Sequence, residues 1–391
     1  MTQAAKVRTA GLFAGIGAAT AAAHIGNNFT TYLVGGLIDR YGFSPLQMGA
    51  WSMAETLAYA AAMFGVAPKV ARLNPRLLAT VASLLVVAAQ LGSTATGAFT
   101  WLLAGRIVTG LGFGLLNTSL TLAAGASPHP ARALSIGIAF QTLLFAVVNI
   151  ALPLVGARFG VGGMFLALGA LSLVLWAGTW LLPARGGNQA VAATPAIPLG
   201  PDAARVLGAM ALFAFGSLAL WPFMERAAHA IGLTAVVFGR FQSLATLLSA
   251  AGNLTLAAFA ARMPRANPLA LALLACGSAC ALLTTVTSPS VFAGALIAYN
   301  VSWFVVYPLL VGVAFQVDPK GRLAVMTSGT WLLAQSFGAL TAGSIAQIAG
   351  NYRIVGPLGL AFCVAAIALI WPLARRFDRH NTPALVPDII H

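Results

Sequence analysis

The sequence predicts an all-α polytopic membrane protein: twelve transmembrane helices in two pseudo-symmetric six-helix bundles. Three observations carry this: composition, the placement of basic residues, and an internal repeat. Of 391 residues, 60% are apolar and 7% charged, with a mean hydropathy of +0.90. A soluble domain carries about 25% charged residues. At about 20 residues per span, the chain holds twelve spans and short connectors. The net charge of +14 does not mark a nucleic-acid binder, because the basic residues are scattered singly among connectors instead of forming one patch.

Apolar runs bounded by Gly, Pro and charge place the spans near 10–34, 46–67, 77–97, 99–124, 133–156 and 162–182, then near 206–228, 235–260, 269–287, 290–315, 323–347 and 354–373. Residues 1–182 form a first bundle, 183–204 a Gly/Pro/Ala-rich linker, 205–374 a second bundle and 375–391 a tail. The first run is too long for a signal-peptide core and is read as a retained helix. With both termini cytoplasmic, fifteen of the 21 Lys and Arg fall on the inner side, as the positive-inside rule requires of an inner (plasma) membrane protein.

The halves repeat. Gly42-Phe43-Ser44 and Gly49 match Gly232-Leu233-Thr234 and Gly239 at an offset of 190, and Ala71-Arg72 matches Ala261-Arg262 and Arg132 matches Arg322 at the same offset. Parallel repeats of six helices are a known transporter architecture. Polar residues recur on every third span. The first carries His24, Asn27, Asn28 and Thr31 at helical spacing. The fourth carries Arg106, Thr109 and Asn117, the seventh Ser217, Trp221 and Glu225, and the tenth Asn300, Trp303 and Tyr307. A bundle around a central aqueous cavity predicts this rhythm.

The most informative stretch is Arg106-Ile107-Val108-Thr109-Gly110-Leu111-Gly112-Phe113-Gly114. A guanidinium inside an apolar run costs about 3 kcal/mol on insertion scales and faces a bundle interior. The three glycines let a neighbouring helix come close. This stretch resembles the helix 4 signature of the major facilitator superfamily of secondary transporters, and the likeness extends over nearly the whole chain. The loop after the second span keeps Gly65 of that family's Gly-x-x-x-Asp-Arg motif but has Lys69 in place of the acid. The antiporter signature of the fifth span is reduced to Leu152-Pro153-Leu154-Val155-Gly156-Ala157. The resemblance implies two six-helix bundles, a site at mid-membrane and alternating access by rocking.

At 1.5 Å rise per residue, His24, Glu55 and Arg106 share one level. Glu55 and His24 are therefore read as proton-coupling groups, with Glu225 a third; a fixed Glu55–Arg106 pair that only locks helices is the competing reading. Candidate solute-binding residues are His24, Asn27, Asn28, Tyr59, Arg106, Asn117, Gln141, Trp221, Asn300, Trp303, Tyr307, Trp331 and Gln335. Their rings suit an organic solute, and Arg106 favours one with an anionic group. Arg72, Arg132, Asp318 and Arg322 are candidate gate residues in the inner loops. Glu225, Arg226, His229 and Arg240 cluster near an outer end, read as an outer gate or as charges snorkelling into headgroups. Cys276 and Cys280 lie one helical turn apart, a spacing open to a metal but plainer as core packing.

No phosphate-binding Gly-x-x-x-x-Gly-Lys loop is present, so no nucleotide or other cofactor is expected. With seven acids in all and no nucleophile constellation, an enzyme or sensor is the remote alternative. The expected function is proton-coupled transport of a small organic solute by a monomer, symport ahead of drug or metabolite efflux. Protons, the solute and the lipid bilayer are the partners, with no nucleic acid among them.

Overall fold

The computed structural model describes residues 3–127, 130–185, 200–259, 264–319 and 321–381. Every regular element among them is helical: α1 (Gln3–Tyr41), α2 (Pro45–Val66), α3 (Pro75–Thr94), α4 (Phe99–Gly125), α5 (Pro130–Thr179), α6 (Pro201–Ala219), α7 (Met224–His229), α8 (Ala235–Phe259), α9 (Ala266–Thr285), α10 (Pro289–Val317), α11 (Arg322–Ala349) and α12 (Val355–Asn381). Eight helical stretches among the described residues are long and apolar enough to cross a bilayer by length and composition.

Four boundaries depart from the sequence reading. The fifth and sixth spans are one helical run, reversed at Gly160 alone (φ 67°, ψ −169°), a backbone conformation open to glycine. The seventh span breaks into α6, a 3₁₀ turn at Trp221–Phe223 and α7, because Pro222 has no amide to donate and crowds the preceding turn. α1 runs past the expected end at residue 34 to Tyr41 and stops where Gly42 turns left-handed (φ 66°). Joining α6 to α7 and dividing α5 at Gly160 leaves twelve segments, in keeping with the count expected. α12 extends to Asn381, into the stretch read as a tail. Most of the expected linker, with Pro128, His129, Arg262 and Lys320, lies outside the described residues.

α1 to α5 pack on one another, as do α6 and α8 to α12, and the two groups meet through α2 against α11, α5 against α8, and α1 against α7 and the 3₁₀ turn. The repeat of 190 governs this junction. A Cβ on Gly49 would sit 2.6 Å from the Ala339 carbonyl oxygen, and one on Gly239 would strike the Asn149 carbonyl oxygen; Asn149 and Ala339 are themselves 190 apart. The turns correspond too. Gly42 and Gly232 both have positive φ, as do Gly160 and Gly350. Ser44 closes a capping box on Gln47, and Thr234 accepts the Val237 amide at 3.3 Å. The bundle contacts are thus backbone against glycine, the close approach on which helix association in lipid depends.

The α4 glycines behave as expected. Gly110 and Gly114 abut the backbone of α2 at Glu55 and Tyr59, while Gly112 faces α3 at Ala82. Cys276 and Cys280 are buried and, with Cys363, fill the contact of α9 and α12. Gly49→Val and Gly239→Val are each expected to loosen the junction by about 1–3 kcal/mol. Hydrogen-exchange mass spectrometry checks this: amide exchange in the first turns of α2 and α8 should rise, and unchanged exchange would count against the contact.

Candidate functional site

The site is built where α1, α2 and α4 meet α6, α7 and α11. Arg106 Nη1 lies 2.7 Å from Glu55 Oε2, with both side chains almost fully buried. Its other terminal nitrogen donates to the Thr30 hydroxyl. Its Cζ sits 3.8 Å from the centroid of the Trp51 ring, which is fixed by an indole N–H donated to the Leu102 carbonyl (3.1 Å). Gly26 of α1 leaves room for the carboxylate, since a Cβ there would come 2.7 Å from Glu55 Oε1. The cation is therefore held by a carboxylate, a hydroxyl and a ring face.

Above this pair the two halves are tied. Gln335 Nε2 donates to Asn27 Oδ1 (2.6 Å), Trp221 Nε1 to the Asn27 carbonyl (2.6 Å) and the Ser336 hydroxyl to Thr56 (2.6 Å). The cavity between Asn27, Thr30, Ser52, Glu55 and Gln335 is about 10 Å³, the scale of one water molecule. Every cross-half hydrogen bond and ion pair among the described residues lies at this level or nearer the α1–α2 turn. They include Asn149 to Thr246 (3.2 Å), Ser243 to the Ala146 carbonyl (2.7 Å) and Leu46 to Gln347 (3.4 Å). The junction is closed at that end.

The strongest tie was not legible as such in the sequence. Arg226 donates to Glu225 Oε2 (2.7 Å) and Oε1 (2.9 Å), and to Asp39 Oδ1 (2.6 Å) and Oδ2 (3.0 Å). One guanidinium thus clamps α7 to α1 through the bidentate Asp39 carboxylate, while Glu225 of its own helix holds it in place. The Thr31 hydroxyl accepts the Glu225 amide (2.8 Å), and Gly35 makes way for the Glu225 carboxyl. Arg226 is therefore a buried cross-link and does not snorkel; His229 and Arg240 are exposed. Asp39 was missed because it seemed to lie in a connector, and the signal available was Asp39-Arg40 beside a charged seventh span. A cavity of about 360 Å³ adjoins the clamp, reaching from Asp39 and Glu225 to Pro153 and Met164. Tyr352, in the turn between α11 and α12, stacks on Phe223 (5.1 Å). Burial pushes its hydroxyl up to about 12, with Arg226 drawing it back and Glu225 raising it, so it stays a phenol at ordinary pH.

Other candidates fall elsewhere. His24 donates through Nδ1 to the Thr20 carbonyl (2.8 Å) and reaches Gln141. It does not join the pair; Thr30 takes the place expected of it, because α1 is turned so that Asn27, Thr30 and Thr31 face the junction. Asn28 bonds the His24 carbonyl (2.9 Å), and Asn117 reaches only Met63 Sδ (3.5 Å). Asn300 is committed to Gln242 (3.1 Å). The Ser217 hydroxyl bonds its own helix at Phe213 (2.7 Å), one turn earlier.

The rings do converge. Trp303 and Tyr307 stack (5.8 Å, 6°), Trp331 lies 6.1 and 5.8 Å from them, and Trp221 stacks on Tyr299 (6.5 Å, 13°). Tyr59 comes within electrostatic reach of Tyr307 from the other half. Of the inner-loop candidates, Asp318 pairs with Arg322 (3.3 Å) and accepts the Leu323 amide (3.1 Å) within its own half. Arg72 and Arg132 are exposed and form no ion pair among the described residues. Among the described residues, no ion pair of these four joins the halves.

Two expectations follow. Arg106→Ala, which strands a buried carboxylate, should cost about 3–5 kcal/mol, whereas Glu55→Gln with Arg106→Gln should recover most of it; thermal unfolding of purified protein reads both. Asp39→Asn should let the closed end part. Spin labels on cysteines placed at the exposed positions Arg40 and His229 should then report longer distances than with Asp39 intact.

The sequence model of the Major Facilitator Superfamily matches residues 15–330. No curated protein sequence gives a significant match. Among solved structures, the nucleoside transporter NupG has a TM-score of 0.71 at 15% identity, covering 94% of this chain and 98% of that one. A bacterial homolog of the human lysosomal transporter Spinster, in an inward-facing and occupied conformation, has a TM-score of 0.68 at 14% identity, covering 97% of both chains. The D-xylose-proton symporter has a TM-score of 0.69 at 13% identity, covering 94% of this chain and 97% of that one. At these identities the likeness is one of fold, and together with the family match over most of the chain it identifies this protein as a member of the Major Facilitator Superfamily, a multi-pass membrane transporter.

Proposed function

We propose that the chain is a proton-coupled symporter of a small organic solute, acting as a monomer in the inner membrane with both termini cytoplasmic. The observation that carries the coupling is the buried Glu55–Arg106 pair at the junction of the two halves. Deprotonated, Glu55 balances the guanidinium in a dry contact. A proton on Glu55 removes that balance, and an uncompensated buried charge costs several kcal/mol. Protonation therefore favours the arrangement in which water reaches Arg106, with the α1–α2 end open. Loss of the proton toward the opposite side re-forms the pair and stabilises closure. Solute and proton then move in the same direction.

The anionic group expected from Arg106 alone loses its main support, because Glu55 already meets that charge in the closed arrangement. The basic residues flanking the connectors support the orientation. Antiport uses the same pair with proton and solute moving in opposite directions, and the reduced fifth-span signature speaks against it.

The test is proton flux in proteoliposomes loaded with a pH dye and offered a panel of labelled solutes. A transported solute should acidify the lumen with wild type, and Glu55→Gln should abolish acidification and pH-driven accumulation while solute exchange persists. Alkalinisation would mean antiport. Transport with no proton movement would overturn the coupling.

A further inference from the structure

The narrow cavity beside the Glu55–Arg106 pair brings together groups that nothing else answers. It measures about 10 Å³ and is lined by Ser52 and Glu55 of α2 and Gln335 of α11, with Asn27 and Thr30 of α1. Ser52 Oγ, Glu55 Oε2 and Gln335 Oε1 have no hydrogen-bond partner among the described residues. Their residues are 5, 3 and 4% exposed, so bulk solvent does not supply one. The neighbouring polar groups are committed. Gln335 Nε2 donates to Asn27 Oδ1 (2.6 Å), and the Thr30 hydroxyl accepts from Arg106 and donates to the Gly26 carbonyl (2.7 Å). Thr56 donates within α2 and accepts from Ser336. Arg106 Nε and the Trp303 and Trp331 indoles are unpartnered as well, but none of those residues lines this cavity.

Size and hydrogen-bond count select the occupant. A space of this size admits one water molecule. Ionised Glu55 and the Gln335 carbonyl can only accept, while the Ser52 hydroxyl has a hydrogen to give. Two acceptors and one donor complement a single water that donates twice and accepts once. A proton on Glu55 Oε2 spoils the match. The carboxyl and Ser52 then both donate to the water, and one water hydrogen finds no unpartnered acceptor. A Ser52 hydroxyl turned to accept would strand its own hydrogen instead. The charged and titratable groups about Glu55 are Arg106 of α4 at 2.7 Å and Tyr59 of its own helix. At the cavity, α1, α11 and the 3₁₀ turn present neutral residues, so a metal cation would meet no charge that Arg106 has not already met.

We propose that this cavity binds one water, and that the water lets Gln335 of the second half read the charge of Glu55 in the first. The bridge is complete only on the ionised carboxylate. Gln335 is thus a positioning residue for coupling, holding α11 to α2 once Glu55 has lost its proton. This deepens the proton-coupled reading and rests on it for the link to transport; the water's binding does not depend on transport.

The test is infrared difference spectroscopy of the full-length protein in lipid bilayers, alkaline minus acid, in ordinary and heavy-oxygen water. The protonated-carboxyl band of Glu55 is identified by its loss in Glu55→Gln. As that band disappears at high pH, a water O–H band should grow in and should shift in heavy-oxygen water. Ser52→Ala and Gln335→Met each leave the water two of its three partners. Each should weaken the water band about 3- to 10-fold and move the Glu55 midpoint upward by about 0.5–1 pH unit, because support for the ionised form is lost. Ser336→Ala removes a cross-half bond of similar length outside the unpartnered set, and should leave band and midpoint as in wild type. No isotope-sensitive band, a band indifferent to both truncations, equal loss in Ser336→Ala, or thermal stabilisation by sodium over choline at fixed pH would each overturn the assignment. A water band that follows Glu55 without proton flux in proteoliposomes would count against the coupling alone; proton flux without the band would count against the water site alone.

Discussion

The contact between Arg106 and Glu55 constrains everything around it. A guanidinium at that depth must be answered within a few ångströms, and the answer draws in two neighbouring helices. Glu55 comes from α2, Thr30 from α1, and Trp51 lies under the cation. α2 can come that near only because Gly110 and Gly114 offer it bare backbone, and α1 only because Gly26 yields to the carboxylate. The glycines and the charge are therefore one device: small residues bring the helices close, and closeness makes the charge tolerable.

The same logic recurs at the closed end, with the asymmetry reversed. The second half supplies Glu225 and Arg226; the first supplies Gly35 and Gly36 at the corresponding positions, 190 residues earlier. The Glu225 and Arg226 side chains fill the space that Gly35 leaves, while Gly36 faces Val161 and Met164 of α5. A twofold-related crossing of α1 and α7 could not hold a bulky pair on both sides. Divergence of the repeats thus converts a symmetric scaffold into a junction that carries charge. Arg226, held by two carboxylates, ties α7 to a turn of α1 that would otherwise end in a loop.

The site has two layers of different chemistry. At the junction lie ionised groups paired with one another. Beyond them, away from the closed end, lie rings and neutral amides, several of which lack partners. A layer of paired charge suits proton exchange, since one proton changes the balance of the whole contact. A layer of neutral donors, acceptors and ring faces suits recognition, since it can discriminate hydrogen-bonding edges at little electrostatic cost.

The bilayer's demand for apolar length and internally bonded backbone is local and repetitive, so composition and periodicity carried the helices. The offset of 190 carried the two matching halves, and one intramembrane arginine flanked by glycines carried the family. The Glu55–Arg106 partnership was legible because both residues are costly where they stand and share a depth. Which face of α1 meets that pair was not, because α1 is almost wholly buried between Gly15 and Leu37 and its polar stripe does not say which neighbour each residue addresses. Thr30 displaced His24 for that reason. The break at Pro222, the added turn that makes Asp39 a helical residue, and the clamp it forms across 187 residues of chain were decided only by how the bundles dock. The close approach of helices through glycine decides which charges meet in this arrangement.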